Sequence, residues 1–292
     1  MERRNNDILW KGMLERVFDD LLQFLFEDAD LVFDLDRGFE FLDKELAELY
    51  PEPDKKTDTR FVDKLVKVYQ RDGTEEWVLV HIEVQAQHDG EFAKRMFKYY
   101  CRIFDRYDRP LTAIAIFTGK DGKRLPDRYE RNFEGTELTY RYNTLYILDY
   151  VESELEASGN PFAVVALVAK KALQEGKILD QELLQQKLSL AKLLLNKGFS
   201  KWKVEGMLSF LKNYIRFADP GFNRIFDKEL DGFTGKTNTM DIIEQVKEMR
   251  IEEALEQVVK NLLAETDFSV KKIAEIAGVS VAFVEEVVRL GR

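Results

Sequence analysis

Four polar residues in the first third of the chain have types and spacings suited to holding a metal ion and activating water. Asp63 lies in one aliphatic run, and His81, Glu83 and Gln85 alternate with valine and isoleucine in residues 77–87, WVLVHIEVQAQ. Side chains of a strand alternate between its two faces, so the three polar residues are predicted to share one face while the aliphatic residues enter a core. Carboxylate oxygens are ligands that Mg²⁺ and Mn²⁺ prefer. The pattern therefore predicts a site on this strand.

The turn between the two runs, residues 70–74 (QRDGT), decides whether Asp63 joins that polar face. A three-residue loop ending in a left-handed Gly73 places Asp63 opposite His81, on the polar face. A two-residue loop places Asp63 opposite Ile82, where a lone carboxylate among valines costs on the order of several kcal/mol unless it is paired. We therefore predict the three-residue turn, because one slip of register moves every side chain to the other face.

A purely structural interpretation of the two acids stays open. Asp63 and Glu83 could form a cross-strand acidic pair, which is disfavoured without a cation because like charges repel; Lys67 or Arg95 could supply that cation. Other enzyme classes find no support in the sequence. The chain has 2 histidines and neither a nucleophile elbow nor a glycine-rich phosphate-binding fingerprint.

The spacing Asp63, nineteen residues, then Glu83-Val84-Gln85 resembles the PD-(D/E)XK nuclease motif, with glutamine in place of the usual lysine. The surrounding sequence resembles the Rpn/YhgA-like group of recombination-promoting nucleases, also described as PD-(D/E)XK transposase-like proteins. The resemblance covers residues 5–215 and is carried by the runs DILWKGMLERVFDDLLQFL, FLDKEL, DKLVKVY, HIEVQ, FAKRMFKYYCRIFDRY and NPFAVVALVA.

The resemblance implies an α/β restriction-endonuclease-like core, in which a mixed sheet is flanked by helices, followed by an all-α C-terminal region. It implies a metal-dependent DNA endonuclease that hydrolyses phosphodiester bonds with a metal-activated water. Asp63, Glu83 and Gln85 would be catalytic, and Asp63, Glu83 and the backbone carbonyl of Val84 would bind Mg²⁺ or Mn²⁺. An amide has no useful basicity near neutral pH, so the alternative is a nucleic-acid-binding or regulatory protein whose nuclease site is weak or lost.

Auxiliary roles are expected for several neighbours of this motif. His81 could assist proton transfer, and Glu40 or Glu45 could be the additional acid that many nucleases of this fold carry. A helix predicted at residues 91–107, capped by Asp89, has a basic stripe that could bind phosphates through Arg95, Lys98 and Arg102.

The distribution of charge along the chain favours nucleic-acid binding next to the candidate motif. The chain has a net charge of −10, which argues mildly against a nucleic-acid binder. Residues 1–50 hold 14 acidic and 6 basic side chains, whereas residues 91–131 hold 11 basic and 6 acidic ones. The positive charge is therefore concentrated just after the candidate motif.

Three regions are predicted along the chain. Residues 1–158 should form the nuclease-like core, with a helix at 8–27 and strands at 111–118 and 138–148. Residues 159–265 should form a helical packing or oligomerisation region, and 266–292 a helix-turn-helix-like hairpin around Gly278. DNA and a second copy of the chain are the expected partners. No run of signal-peptide or membrane-spanning type appears, so a cytoplasmic location is expected.

Overall fold

The computed structural model describes residues 3–42, 62–83, 90–109, 111–119, 125–234, 255, 258–263, 266 and 268–290. The chain divides into two compact units, Met1–Thr239 and Met240–Arg292. The first unit is a mixed α/β structure built on a five-stranded sheet, and the described part of the second unit is helical.

The main sheet combines antiparallel and parallel pairing. Its strands, in spatial order, are β1 (Glu40–Phe41), β2 (Val62–Tyr69), β3 (Glu75–Glu83), β4 (Leu111–Phe117) and β7 (Asn143–Tyr146). β2 is antiparallel to both β1 and β3, whereas β3, β4 and β7 run parallel. Two further strands, β5 (Arg128–Phe133) and β6 (Thr136–Arg141), pair as a separate ribbon.

Helices cover both faces of the main sheet. On one face, Leu65 and Leu79 pack in a cluster with Met96 of helix α3 (Phe92–Tyr107). On the other face, the ring of Phe18 in helix α1 (Arg3–Leu25) lies 6.1 Å from that of Phe41 in β1. The sequence predicted that β3 has one apolar and one polar face. The face that was expected to be polar is apolar along its first half, where Trp77 and Leu79 pack against α3.

Helix α3 runs antiparallel to the parallel strands. At its start, the Phe92 ring lies 5.2 Å from the ring of Phe117 at the end of β4. At its end, the Tyr107 ring lies 4.8 Å from the ring of Trp77, near the start of β3. The buried residues Phe92, Met96, Tyr99 and Ile103 form a stripe along this helix. Its first turn therefore lies at the carboxyl ends of β3 and β4.

Two local predictions differ from the structure. Glu91 occupies the N-cap position of α3 and makes no side-chain cap bond, while the expected cap Asp89 lies outside the described residues. The strand predicted at 138–148 is two strands, β6 and β7, which belong to different sheets. The buried Tyr142 separates them, because its side chain enters the core and turns the chain from the ribbon into the main sheet.

The remaining helices of the first unit share a core with the sheet. Helix α1 contacts β2 on one side and two helices of the C-terminal layer on the other, where its Trp10 ring lies 5.2 Å from Phe210. The boundary predicted at residues 158/159 therefore does not separate two compact units, and the division falls at 239/240. The other helices are α2 (Ala29–Val32), α4 (Glu152–Ala157), α5 (Pro161–Ala172), α6 (Asp180–Asn196), α7 (Lys201–Tyr214) and α8 (Gly221–Thr234).

The second unit contains the two short helices that the sequence predicted around Gly278. These are α9 (Val270–Ala277) and α10 (Val281–Leu290), and residues 258–263 are also helical. Gly278 ends α9 in the left-handed conformation with φ 69°. The hydroxyl of Ser280 accepts a hydrogen bond from the Phe283 N–H at 3.1 Å, which caps α10. Their small core is formed by Val259, Ile273, Ala274, Val284 and Val287.

Candidate active site

The turn between β2 and β3 has the predicted three-residue form. The Gln70 N–H donates to the Thr74 carbonyl at 2.8 Å, and the Gly73 N–H donates to the Gln70 carbonyl at 2.9 Å. Gly73 has φ 88°, the left-handed conformation that the bulged turn requires. The Asp72 carboxylate accepts the Thr74 N–H at 2.8 Å and supports the turn.

This turn sets the register that the candidate site needs. Asp63 is paired with His81 across β2 and β3, as predicted. Glu83 lies two residues further along β3, on the same sheet face, and is paired with Phe117 of β4. Diagonal neighbours of this kind have Cα atoms about 7–8 Å apart, a span that two acidic side chains can bridge to one cation. The structure thus brings the positions of Asp63, His81 and Glu83 together.

The remaining predicted site residues are not among those that the structure describes. Val84, Gln85 and Glu45 lie outside the described residues. Where side chains are described, no three histidine, cysteine, aspartate or glutamate side chains gather into a metal-binding group. Asp63 and Glu83 carry carboxylates, whose hard oxygens fit Mg²⁺ or Mn²⁺.

Arg95 is the predicted phosphate ligand nearest to these positions. It lies one turn into α3, its guanidinium carbon is 5.3 Å from the Phe92 ring, and its Nε and Nη2 atoms are buried. Phe92 in turn contacts Phe117, the register neighbour of Glu83. Burial raises the pKa of Tyr142 beneath the helix, and the positive charge of Arg95 acts in the opposite direction. A permanent positive charge therefore lies beside the end of β4.

Lys98 and Arg102 are exposed on the same helix. Arg102 lies two turns beyond Arg95, about 10 Å along the helix axis. Because α3 runs back towards Trp77, this displacement leads away from the paired acidic positions. Of the three predicted phosphate ligands, Arg95 therefore lies nearest to the paired acidic positions, and Lys98 and Arg102 lie further along the helix.

The opposite end of β2 carries a separate set of charges. Lys67 Nζ lies 2.7 Å from a Glu40 oxygen and 3.8 Å from a Glu75 oxygen, and the Tyr69 hydroxyl donates to Glu40 at 2.8 Å. The bond to Lys67 lowers the pKa of Glu40 and raises that of Lys67. Both lie about 13 Å from Asp63 along the strand. Lys67 therefore neutralises Glu40 and Glu75, and Glu40 is not the additional acid of the site.

Sequence reasoning missed a buried ion pair directly beneath the candidate site. Lys64 follows Asp63 on β2 but lies on the opposite sheet face, where its fully buried ammonium pairs with Glu15 of α1. The signal was available, because Lys64 falls in the same alternation phase as Val66 and Val68. A lysine in the apolar phase of a strand indicates a buried partner.

No family model, curated protein or solved structure matches the chain. The family expected from the sequence runs quoted above stays a prediction. Within the part of the chain that the structure describes, no helix is long and apolar enough to cross a membrane.

Proposed function

We propose that the protein is a metal-dependent DNA endonuclease of the recombination-promoting, PD-(D/E)XK type. The observation that carries this proposal is the register of β2 and β3, which sets Asp63 opposite His81 with Glu83 two residues further along the same face. A slip of one residue would have placed Asp63 among the valines. A restriction-endonuclease-like core is part of the proposal, supported by a mixed sheet between helices and by the position of Asp63 and Glu83 at the edge where the parallel strands end.

In the proposed mechanism, Asp63, Glu83 and the Val84 carbonyl would hold Mg²⁺ or Mn²⁺. When bound, this ion would lower the pKa of a water molecule and neutralise charge that develops on the scissile phosphate. Gln85 would orient the attacking water by hydrogen bonding, and His81 would assist proton transfer.

Substrate binding in this proposal falls to the basic residues of α3. Arg95 would bind the phosphate nearest the metal, because its guanidinium carbon lies 5.3 Å from the ring of Phe92, which contacts Phe117 at the end of β4. Arginine donors match the geometry of phosphate oxygens, and a partly buried guanidinium loses less entropy on binding. Lys98 and Arg102 would contact phosphates further along the strand.

Plasmid nicking tests the proposal. Supercoiled DNA should be nicked in the presence of Mg²⁺ or Mn²⁺, and nicking should vanish with chelator and in Asp63→Asn and Glu83→Gln. Glu40→Gln is the matched control, because it removes a carboxylate from the same sheet face about 13 Å away. That control should nick DNA as the wild type does. Activity that survives in Asp63→Asn and Glu83→Gln would remove the assignment.

The alternative is a nucleic-acid-binding or regulatory protein that has lost cleavage. It is favoured by Gln85, whose amide replaces the usual lysine of the motif. The same variants separate the two functions when DNA binding is measured in parallel. Binding without metal-dependent nicking in the wild type would establish the alternative.

A further inference from the structure

The β5–β6 ribbon is anchored on α3 by aromatic rings. Tyr129 and Tyr140 are directly opposite each other in the ribbon. The Tyr129 ring stacks on Phe97 of α3 at 5.1 Å, and the Tyr140 ring lies 5.0 Å from Tyr100. These contacts fix the base of the ribbon against one flank of the helix.

The outer half of the ribbon extends into solvent. Arg131 and Phe133 follow Tyr129 at alternate positions of β5 and therefore share its face. Phe133 lies about 13 Å beyond Tyr129, and its side chain is 66% exposed. The tip is a two-residue turn, Glu134-Gly135, with φ 45° and 78°, which matches the twist of a hairpin and holds Phe133 in place.

The ring contacts continue along α3 to a second exposed aromatic residue. Tyr100 stacks on Phe104 with ring centroids 5.8 Å apart and an interplanar angle of 8°. The Phe104 side chain is 45% exposed. A row of packed rings thus ends in an open aromatic face at Phe104, while Phe133 presents another at the ribbon tip.

The charges of this region are favourable for a polyanion. Helix α3 contains five basic side chains and a single acid, Asp105. Arg131 is exposed between Tyr129 and Phe133. Of the three acids of the ribbon, Glu134 lies in the turn, and Glu130 and Glu137 lie on the opposite ribbon face, where Arg128 is 3.7 Å from Glu130 and Asn132 donates to Glu137 at 3.3 Å. We call the set Lys98, Tyr100, Phe104, Tyr129, Arg131 and Phe133 the ribbon–helix surface.

We infer that the ribbon–helix surface binds single-stranded DNA, with unpaired bases stacking on Phe133 and Phe104 and phosphates contacting Arg131 and Lys98. Exposed aromatic faces combined with cationic side chains bind single strands without sequence preference. A duplex keeps its base faces stacked inside and cannot offer them to these rings. The inference rests on the proposed function in its choice of DNA.

Binding to a labelled oligothymidylate, measured by fluorescence anisotropy with full-length protein in chelator, tests the inference. Stacking contributes about 1–3 kcal/mol per base, so Phe133→Ala and Phe104→Ala should each weaken binding roughly 5- to 160-fold. Leu179→Ala is the matched control. Leu179 is the N-cap residue of α6, is 77% exposed and lies outside the ribbon–helix surface. It should bind as the wild type does, and all three variants should keep the wild-type melting temperature.

The charge contribution has its own control within the ribbon. Arg131→Gln should flatten the dependence of log K on log salt by about 0.7 for a single strand, the value for one lost phosphate contact. Arg128→Gln removes the same charge from the opposite ribbon face, where Arg128 pairs with Asp127 at 3.0 Å and Glu130 at 3.7 Å, and should leave the slope unchanged.

Equal oligothymidylate affinity in Phe133→Ala, Phe104→Ala and Leu179→Ala would overturn the inference, as would equal losses of affinity for single-stranded and duplex DNA. Failure of the proposed nuclease function is a different result. Asp63→Asn should retain oligothymidylate binding in chelator, since the ribbon–helix surface does not include it. Single-strand binding in a protein that nicks no plasmid would leave this inference standing while removing the nuclease.

Discussion

Lys64 is a charged residue in the aliphatic layer of β2. Its side chain is fully buried, its ammonium pairs with the Glu15 carboxylate, and it lies 4.8 Å from the Phe41 ring. The Glu15 side chain is 24% exposed. The carboxylate therefore has access to water and the ammonium does not, so loss of one partner affects the other unequally.

Removing the carboxylate should destabilise the fold more than removing the lysine. Glu15→Gln leaves Lys64 buried without that counter-charge and should cost about 3–5 kcal/mol. Lys64→Met keeps the volume of the side chain, and Glu15 can turn to water, so the cost should stay below about 2 kcal/mol. Urea unfolding of both variants measures the difference. A larger loss in Lys64→Met would show that the contact acts by packing and not by charge.

Lys187 of α6 is buried in the helical layer, where it contacts α7 and α8. Its ammonium donates to the carbonyls of Lys212 at 2.8 Å and Ile215 at 2.7 Å, at the end of α7. It also lies 4.8 Å from the Phe217 ring and 4.5 Å from the Phe226 ring. Burial lowers the pKa of Lys187 to about 7, against the smaller raising effects of Asp227 and Glu175. One titrating group thus joins α6, α7 and α8.

The stability contribution of Lys187 should depend on pH. Its folded pKa of about 7 lies below the ordinary value of 10.5, so the unfolded chain binds more protons between these values and stability rises with pH there. From pH 6 to pH 9, wild type should gain roughly 2–3 kcal/mol of unfolding free energy relative to Lys187→Met.

Urea unfolding of the two proteins at both pH values measures this gain. Asp227, Glu175 and Lys212 are present in both, so their own titration cancels to first order. A pH-independent difference would mean that the two carbonyls and two rings keep the ammonium charged throughout the range.

At the scale of elements, the turn between β2 and β3 determines which side chains meet on the sheet. Gly73 adopts φ 88°, a conformation that costs an L-residue about 1–2 kcal/mol. The strands on either side alternate regularly, so the turn is the point at which the register is chosen.

Gly73→Ala should therefore lower the unfolding free energy by about 1 kcal/mol. Gly90→Ala is the control, because a Cβ there meets no atom within 4 Å and Gly90 has no left-handed φ. The control should be neutral by urea unfolding. Equal effects of the two substitutions would mean that the turn accommodates alanine at position 73 without the cost of a left-handed φ.

At the scale of the molecule, the second unit has its own core and an acidic composition. Residues 240–292 contain 11 acidic and 7 basic side chains. Removal of this unit at the 239/240 division should leave the first unit folded, with an unchanged melting temperature. Nonspecific DNA affinity should stay level or rise, because the truncation removes more negative than positive charge. A large loss of affinity would make the α9–α10 hairpin the DNA-binding element.

The basic helix should instead supply the affinity for duplex DNA. Arg95→Ala combined with Arg102→Ala removes two phosphate contacts and should flatten the salt dependence of log K by roughly two units. Binding titrations over a series of salt concentrations, made on the double variant and on the truncation, measure both effects. An unchanged slope in the double variant would place the phosphate contacts outside α3.

The sequence alone determined the features that depend on near neighbours. Strand alternation, the helix α3, the turn at Gly73 and hence the pairing of Asp63 with His81 could all be predicted, because each follows from residues within a few positions of one another. Tertiary structure decided which surfaces became buried. The second face of β3 is buried at Trp77 and Leu79 because α3 packs on it, and Lys64 is held by Glu15, 49 residues away. The chain also leaves the ribbon at Tyr142 because that side chain is buried in the core. Burial is a property of packed elements, and a strand's own pattern does not record which helix will cover it.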